Sequence, residues 1–162
     1  MLQESTLDAA QAGSNFGLKD EIRAYWSKRA ETFDLSYGHK IRSRGELDAW
    51  SRLIARHAPI GPGDRVLELA SGTGEVTRVL LGFGCSVDAI DLCEPMIERA
   101  KAKHRGSAVR FHLGDVENTM MPDARYDLVI CRHLVWTLLD PQAALADWLR
   151  VLKPGGAVVV ID

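Results

Sequence analysis

The stretch Val66-Leu67-Glu68-Leu69-Ala70-Ser71-Gly72-Thr73-Gly74-Glu75-Val76-Thr77 decides how the rest of the chain is read. It opens as a short, mostly apolar run, the pattern of a strand buried on both faces. Two glycines one residue apart then turn the chain, and a helical pattern follows. Glycine there lets backbone approach a ligand closely. The helix start behind it offers unpaired N–H groups and the positive end of a dipole. Such a turn suits a nucleotide-like molecule.

Downstream of this turn, strand and helix patterns alternate. Strands fit 65–70, 86–91, 109–114, 126–131 and 157–161. Helices fit 75–81, closed by Gly82, and 95–105, closed by Gly106; a third starts at Asp140-Pro141, runs through Leu152 and ends at Lys153-Pro154-Gly155-Gly156. This alternation predicts an α/β fold, Rossmann-like, with a mostly parallel sheet and helices on both faces. Upstream, Ile22, Tyr25, Trp26, Ala30 and Phe33 recur at helical spacing over 19–33. A second helix fits 46–57, and 34–39 reads as a loop. Residues 1–18 show no sustained period and are expected to form a flexible arm. Residues 19–162 form one domain, in which 19–58 are a helical lead-in or lid.

The 162 residues suffice for one domain with a core, at 46% hydrophobic and 26% charged. A net charge of −2 gives no electrostatic ground for a nucleic-acid partner. No apolar run approaches the roughly 20 residues that cross a bilayer, and no secretory leader opens the chain, so no membrane association is expected. Cys85, Cys93 and Cys131, odd in number and close to apolar runs, read as reduced thiols of a cytoplasmic protein. Cys93 and Cys131 have no Cys or His at ligand spacing and read as small buried side chains rather than a metal site.

In an open parallel sheet, ligands bind beyond the C-terminal ends of the strands. The second strand ends at Asp91, 19 residues after Gly72, where a carboxylate can accept both hydroxyl protons of a ribose. The third ends at Gly114-Asp115-Val116, an acid for an adenine amino group beside an apolar residue for its ring. The fourth ends at Cys131-Arg132-His133. A dinucleotide fingerprint wants a third glycine where Thr77 stands. Glu68 and Glu75 flank the loop and would repel a pyrophosphate, whereas they suit an ammonium or sulfonium. These residues favour S-adenosylmethionine over NAD.

Taken in series, the motifs resemble those of class I S-adenosylmethionine-dependent methyltransferases, in the branch acting on small molecules. Glu68-Leu69-Ala70-Ser71-Gly72-Thr73-Gly74 is similar to the family's first motif, with Ala70 where the family often has glycine. Asp91, Gly114-Asp115 and Tyr126-Asp127-Leu128-Val129-Ile130 resemble its later motifs. Leu149 to Gly156 is similar to its turn before the fifth strand, and Tyr25 to Asp34 to its lead-in helix. The resemblance implies that Glu68, Ala70, Gly72 and Gly74 line the methionine portion, with Ser71 a further cofactor-binding position. It implies Asp91 on the ribose, Leu92 and Val116 against the adenine, and Asp115 on its amino group. The backbone around Arg132 would close the pocket near the sulfonium, with Phe33 and Tyr37 as a lid. His133 is the candidate base should the acceptor lose a proton. His39 and His57 are weaker candidates. Trp148 reads as core, and Trp136 as a residue facing the acceptor.

The implied function is methyl transfer from S-adenosylmethionine to a small-molecule acceptor, leaving S-adenosylhomocysteine. A cofactor-binding but inactive fragment or binding protein is the alternative, and an NAD-dependent oxidoreductase a weaker one. The family's sheet usually has seven strands, and this sequence stops after the fifth. A truncated molecule that keeps the cofactor site is therefore expected. Its uncovered fifth-strand edge is open to a second copy of the chain, a homodimer.

Overall fold

A computed structural model describes residues 4–162, with side chains from Gly17 onward. Five strands form the sheet: β1 (Arg65–Leu69), β2 (Ser86–Asp91), β3 (Arg110–Leu113), β4 (Tyr126–Arg132) and β5 (Leu152–Ile161). Every pairing is parallel and the order is β3-β2-β1-β4-β5, so the order reverses beside β1. Helices α1 (Glu4–Arg29) and α2 (Arg44–His57) precede the sheet. The helices α3 (Glu75–Leu81), α4 (Glu94–Lys103) and α5 (Pro141–Val151) connect its strands.

Alternate residues along each strand point to opposite faces, and both faces are apolar. Val66, Val87, Ala89, Leu128 and Ile130 pack with Ile54 of α2 and Val76, Val79 and Leu80 of α3. Leu67, Leu69, Ile90, Val129 and Cys131 pack on the other face with Ala144, Trp148 and Val151 of α5. Trp148 is fully buried, and its indole N–H donates to the Val116 carbonyl at 2.8 Å. The helix starts follow local chemistry. Ser43 caps α2 by accepting the Glu46 N–H, while the Glu46 carboxylate accepts the Arg42 N–H at 2.6 Å. Asp140 caps α5 by accepting the Ala143 N–H, with Pro141 in its first turn.

Several elements differ from the sequence reading: α1 ends at Arg29 rather than at Phe33, and α4 ends at Lys103 with His104 as its cap rather than running to Arg105 with Gly106 closing it. Where a flexible arm is expected, α1 is already helical from Glu4, and residues 1–3 lie outside the described residues. Leu7, Ala9, Ala10, Gln11 and Ala12 are strong helix formers without an amphipathic period, so a search for periodicity passes over them. Gly82 ends α3 at φ −64°, and it is Gly84 that takes the left-handed turn, at φ +75°. Finally, β5 begins at Leu152 rather than Ala157. Tyr126 pairs with Leu152 but Leu128 with Ala157, so the residues between form a bulge. Pro154, which has no N–H for a ladder, sits in that bulge, and Lys153 reaches the Asp127 carboxylate at 2.8 Å. β5 lies at the sheet edge with Val160 exposed. Among the described residues no helix is long and apolar enough to cross a membrane.

Candidate functional site

The turn after β1 stands where the strand order reverses, the position at which an open parallel sheet leaves a crevice. Ala70, Gly72 and Gly74 all take left-handed backbone, at φ +50°, +53° and +86°. For Ala70 this is strained, which explains why a glycine would be at home there. The turn is stapled to the neighbouring strand. The Ser71 N–H donates to the Ile90 carbonyl at 3.1 Å, and the Gly72 N–H to Asp91 Oδ2 at 2.8 Å. The other oxygen of Asp91 accepts the Cys93 N–H, also at 2.8 Å, and its backbone carbonyl accepts the Gly114 N–H. One residue therefore fixes the ends of three strands.

Above this platform lies a cavity of about 300 Å³. Glu68, Ala70, Ser71 and Gly72 form its floor. Asp91, Leu92, Asp115 and Val116 form one end, and Arg132 and His133 the other. Phe33 covers it from the lead-in segment, close over Gly72. Two expected site residues lie elsewhere. Tyr37 is fully exposed and outside the cavity: its segment turns inward through Phe33 and Ile41 instead, the latter 2% exposed. Gly74 also lies outside. Its glycine is needed because a Cβ would stand 2.8 Å from the His104 imidazole, whose Nε2 bonds the Gly74 carbonyl.

The two glutamates of the turn behave differently. Glu75 is committed to the protein, accepting the Ile41 N–H at 2.9 Å and Lys103 at 2.7 Å. Lys103 also pairs with Asp34 at 2.6 Å, and Asp34 accepts the Thr73 hydroxyl at 2.6 Å. This network ties the lead-in segment to the glycine turn, so Glu75 is a clasp rather than a free anion. Glu68 accepts the Thr77 hydroxyl, at 2.5 Å. Burial, with the Asp91 charge nearby, pushes its carboxyl up to about 8. Burial likewise pushes the Cys93 and Cys131 thiols up to about 12, which keeps both protonated and unreactive.

Lys19 and Glu117, which no sequence motif singles out, also line the cavity, as do Trp26, read from sequence only as part of a helical stripe, and His39, the weaker candidate base. Lys19 reaches from α1 to pair with Asp115 and stands 3.6 Å from Glu117. Nothing in the local pattern signals that contact, since 96 positions separate Lys19 from Asp115. Trp26 was legible as part of the stripe with Phe33, which it meets edge-on at 6.0 Å. His39 stacks on Phe33 with ring centroids 4.2 Å apart and lies 6.2 Å from His133. Trp136, expected to face an acceptor, does line the cavity while remaining 68% exposed.

A family model described as a methyltransferase domain matches residues 67–160. The chain is 32% identical over 143 residues to a demethylmenaquinone methyltransferase of Renibacterium salmoninarum, across 88% of this chain and 59% of that protein. It is 36% identical over 141 residues to a malonyl-acyl-carrier-protein O-methyltransferase of Serratia marcescens, across 87% and 52%. It thus spans little more than half the length of these curated relatives. Among solved structures, a Haemonchus contortus phosphoethanolamine N-methyltransferase in complex with S-adenosyl-L-methionine shares the fold. Its TM-score is 0.71 at 23% identity, over 83% of this chain and 32% of that one.

Proposed function

The chain belongs to the methyltransferase domain family, among the class I S-adenosylmethionine-dependent enzymes, and from that premise we propose that its cavity binds S-adenosylmethionine and directs the methyl group to a small-molecule acceptor. The observation that carries this reading is the Ser71 hydroxyl. It is buried in the glycine turn, on the cavity floor, without a hydrogen-bond partner among the described residues. A buried hydroxyl left unpaired costs free energy that a polar group of a ligand removes.

The other residues fit the same ligand. Each Asp91 oxygen accepts one backbone N–H and keeps lone pairs for a ribose hydroxyl. Leu92 and Val116 would pack on the adenine, and Asp115 would take its amino group once Lys19 moves off. That exchange is inexpensive, because a partly exposed ion pair contributes only about 0–1 kcal/mol. Glu68, Ala70, Ser71 and Gly72 would hold the methionine portion. Thr77 opposes a dinucleotide: it is fully buried where close helix–strand packing would want glycine, and it is spent on Glu68. When bound, the sulfonium supplies a reactive methyl group. The chain's part is to align it, exclude water and fix the acceptor.

Calorimetric titration tests the cofactor. S-adenosylmethionine is expected to bind with micromolar affinity, and no heat at high micromolar concentration would sink the reading. Glu68 adds a pH signature. Its carboxyl is protonated below about 8, and a cation seated beside it favours the ionised form. Binding at neutral pH should therefore release a proton, and affinity should rise with pH until it levels near 8. Titrations in two buffers of different ionisation heat measure the release; equal apparent heats would remove Glu68 from the ligand. The relatives' names carry different acceptors, so the acceptor must be sought in this chain's own residues.

A further inference from the structure

His39 is the least explained group of the cavity. It sits on the segment between α1 and α2, and its Nδ1 lies 3.1 Å from the Phe33 carbonyl oxygen. A carbonyl only accepts, so Nδ1 carries the proton. In the neutral ring the lone pair is then on Nε2. No hydrogen bond among the described residues engages that nitrogen, and the residue lines the cavity. His104 and His112 each spend a ring nitrogen on protein, the first on the Gly74 carbonyl and the second on the Asp88 carboxylate, and neither lines the cavity. The His39 ring is also held in orientation, stacked on Phe33 with an interplanar angle of 26°. Its segment is anchored by Arg132, which donates to the Gly38 carbonyl and lies over the Trp50 ring at 5.0 Å.

The environment limits what can meet Nε2. Arg132, the cation of this end, is spent on Gly38 and Trp50, so no free positive charge awaits a carboxylate. His133 faces His39 at 6.2 Å, and burial with the neighbouring Arg132 charge holds its imidazole below the usual range, which keeps it neutral. Phe33, Leu134, Trp136 and Leu138 give the cavity an apolar side. A flat apolar body with one neutral, ionisable hydroxyl fits this apolar side and the free Nε2 of His39.

We propose that His39, rather than His133, is the proton acceptor of this site, and that the methyl acceptor is a phenolic or enolic hydroxyl compound. This rests on the cofactor reading above. The hydroxyl oxygen forms its bond to the methyl carbon as the carbon–sulfur bond breaks, its electron pair going to sulfur. The hydroxyl proton passes to Nε2 of His39. The positive charge of the sulfonium reappears as imidazolium, and the products are the methyl ether and neutral S-adenosylhomocysteine.

Naphthol serves as the probe. The wild-type chain is expected to methylate its oxygen. His39→Gln should lower kcat by about 10²–10⁴-fold, while KM for naphthol changes little and the cofactor dissociation constant stays within about threefold. His39→Ala should regain part of its rate with added imidazole. Imidazole-nitrogen NMR of the cofactor-free protein should show His39 as the Nδ1–H tautomer, independently of turnover. A kcat within about threefold of wild type, or the opposite tautomer, overturns the role of His39. Cofactor binding without any transfer to naphthol overturns the hydroxyl assignment, whereas absence of cofactor binding in the wild type defeats the underlying reading instead.

Discussion

Asp91→Ala should abolish useful cofactor binding, weakening it by about 2–4 kcal/mol, or about 30- to 1000-fold. Two losses combine. On the proposed cofactor reading the ribose hydroxyls lose their acceptor, and the N–H groups of Gly72 and Cys93 lose theirs, both now at 2.8 Å from the carboxylate. The second loss matters because the turn from Ala70 to Gly74 runs through left-handed backbone that its neighbours must hold. Freed from Asp91, it relaxes away from the shape that meets the ligand. Burial raises the Asp91 carboxyl, and the N–H groups of Cys93 and Gly72 oppose that rise. Asp91→Asn keeps one acceptor oxygen and should fall between wild type and alanine. Calorimetry with S-adenosylhomocysteine and a parallel thermal melt read both effects. A dissociation constant within threefold of wild type would remove Asp91 from the ribose site.

The sheet was readable because its strands are near-continuous apolar runs bounded by glycine, proline and aspartate, and because each punctuating residue acts over a few positions. The strand-end carboxylates were readable for the same reason: Asp91 and Asp115 follow directly from where β2 and β3 stop. What escaped depends on contacts between distant segments. Glu75 looks like a free anion in sequence, yet Lys103 and the Ile41 N–H neutralise it across 28 and 34 positions. Tyr37 and Phe33 are both aromatic and four residues apart, and only the path of the loop decides that Phe33 turns inward and Tyr37 outward. His39 stands in sequence only as a weaker candidate base than His133. Its significance arises from a carbonyl six residues back and from two residues at the end of β4.

The largest loss of stability is expected from Asp88→Ala, at a residue that is not among those lining the cavity. Asp88 is a buried acid in the middle of β2, its side chain 6% exposed, and it collects four donors. Arg110 binds it with two nitrogens at 2.8 Å, His112 Nε2 lies at 2.8 Å, and the fully buried Tyr126 donates its hydroxyl at 3.1 Å. Arg110 is more than half exposed and can return to water when the acid is gone. Tyr126 cannot, so its hydroxyl is stranded beneath α5. The expected cost is about 2–4 kcal/mol, which in a chain of this size lowers Tm by about 5–15 °C. Asp88→Asn keeps an acceptor for Tyr126 and should lose less. The pH dependence has a definite sign. These donors hold the Asp88 carboxyl down at about 2, below the ordinary value near 4 that it regains on unfolding. Its contribution is therefore complete above pH 4 and fades as the pH falls toward 2, as the folded carboxylate takes up its proton. Melts of wild type and Asp88→Ala should converge across that window. A gap as wide at pH 2 as at pH 7 would show that Asp88 acts by shape and not by charge.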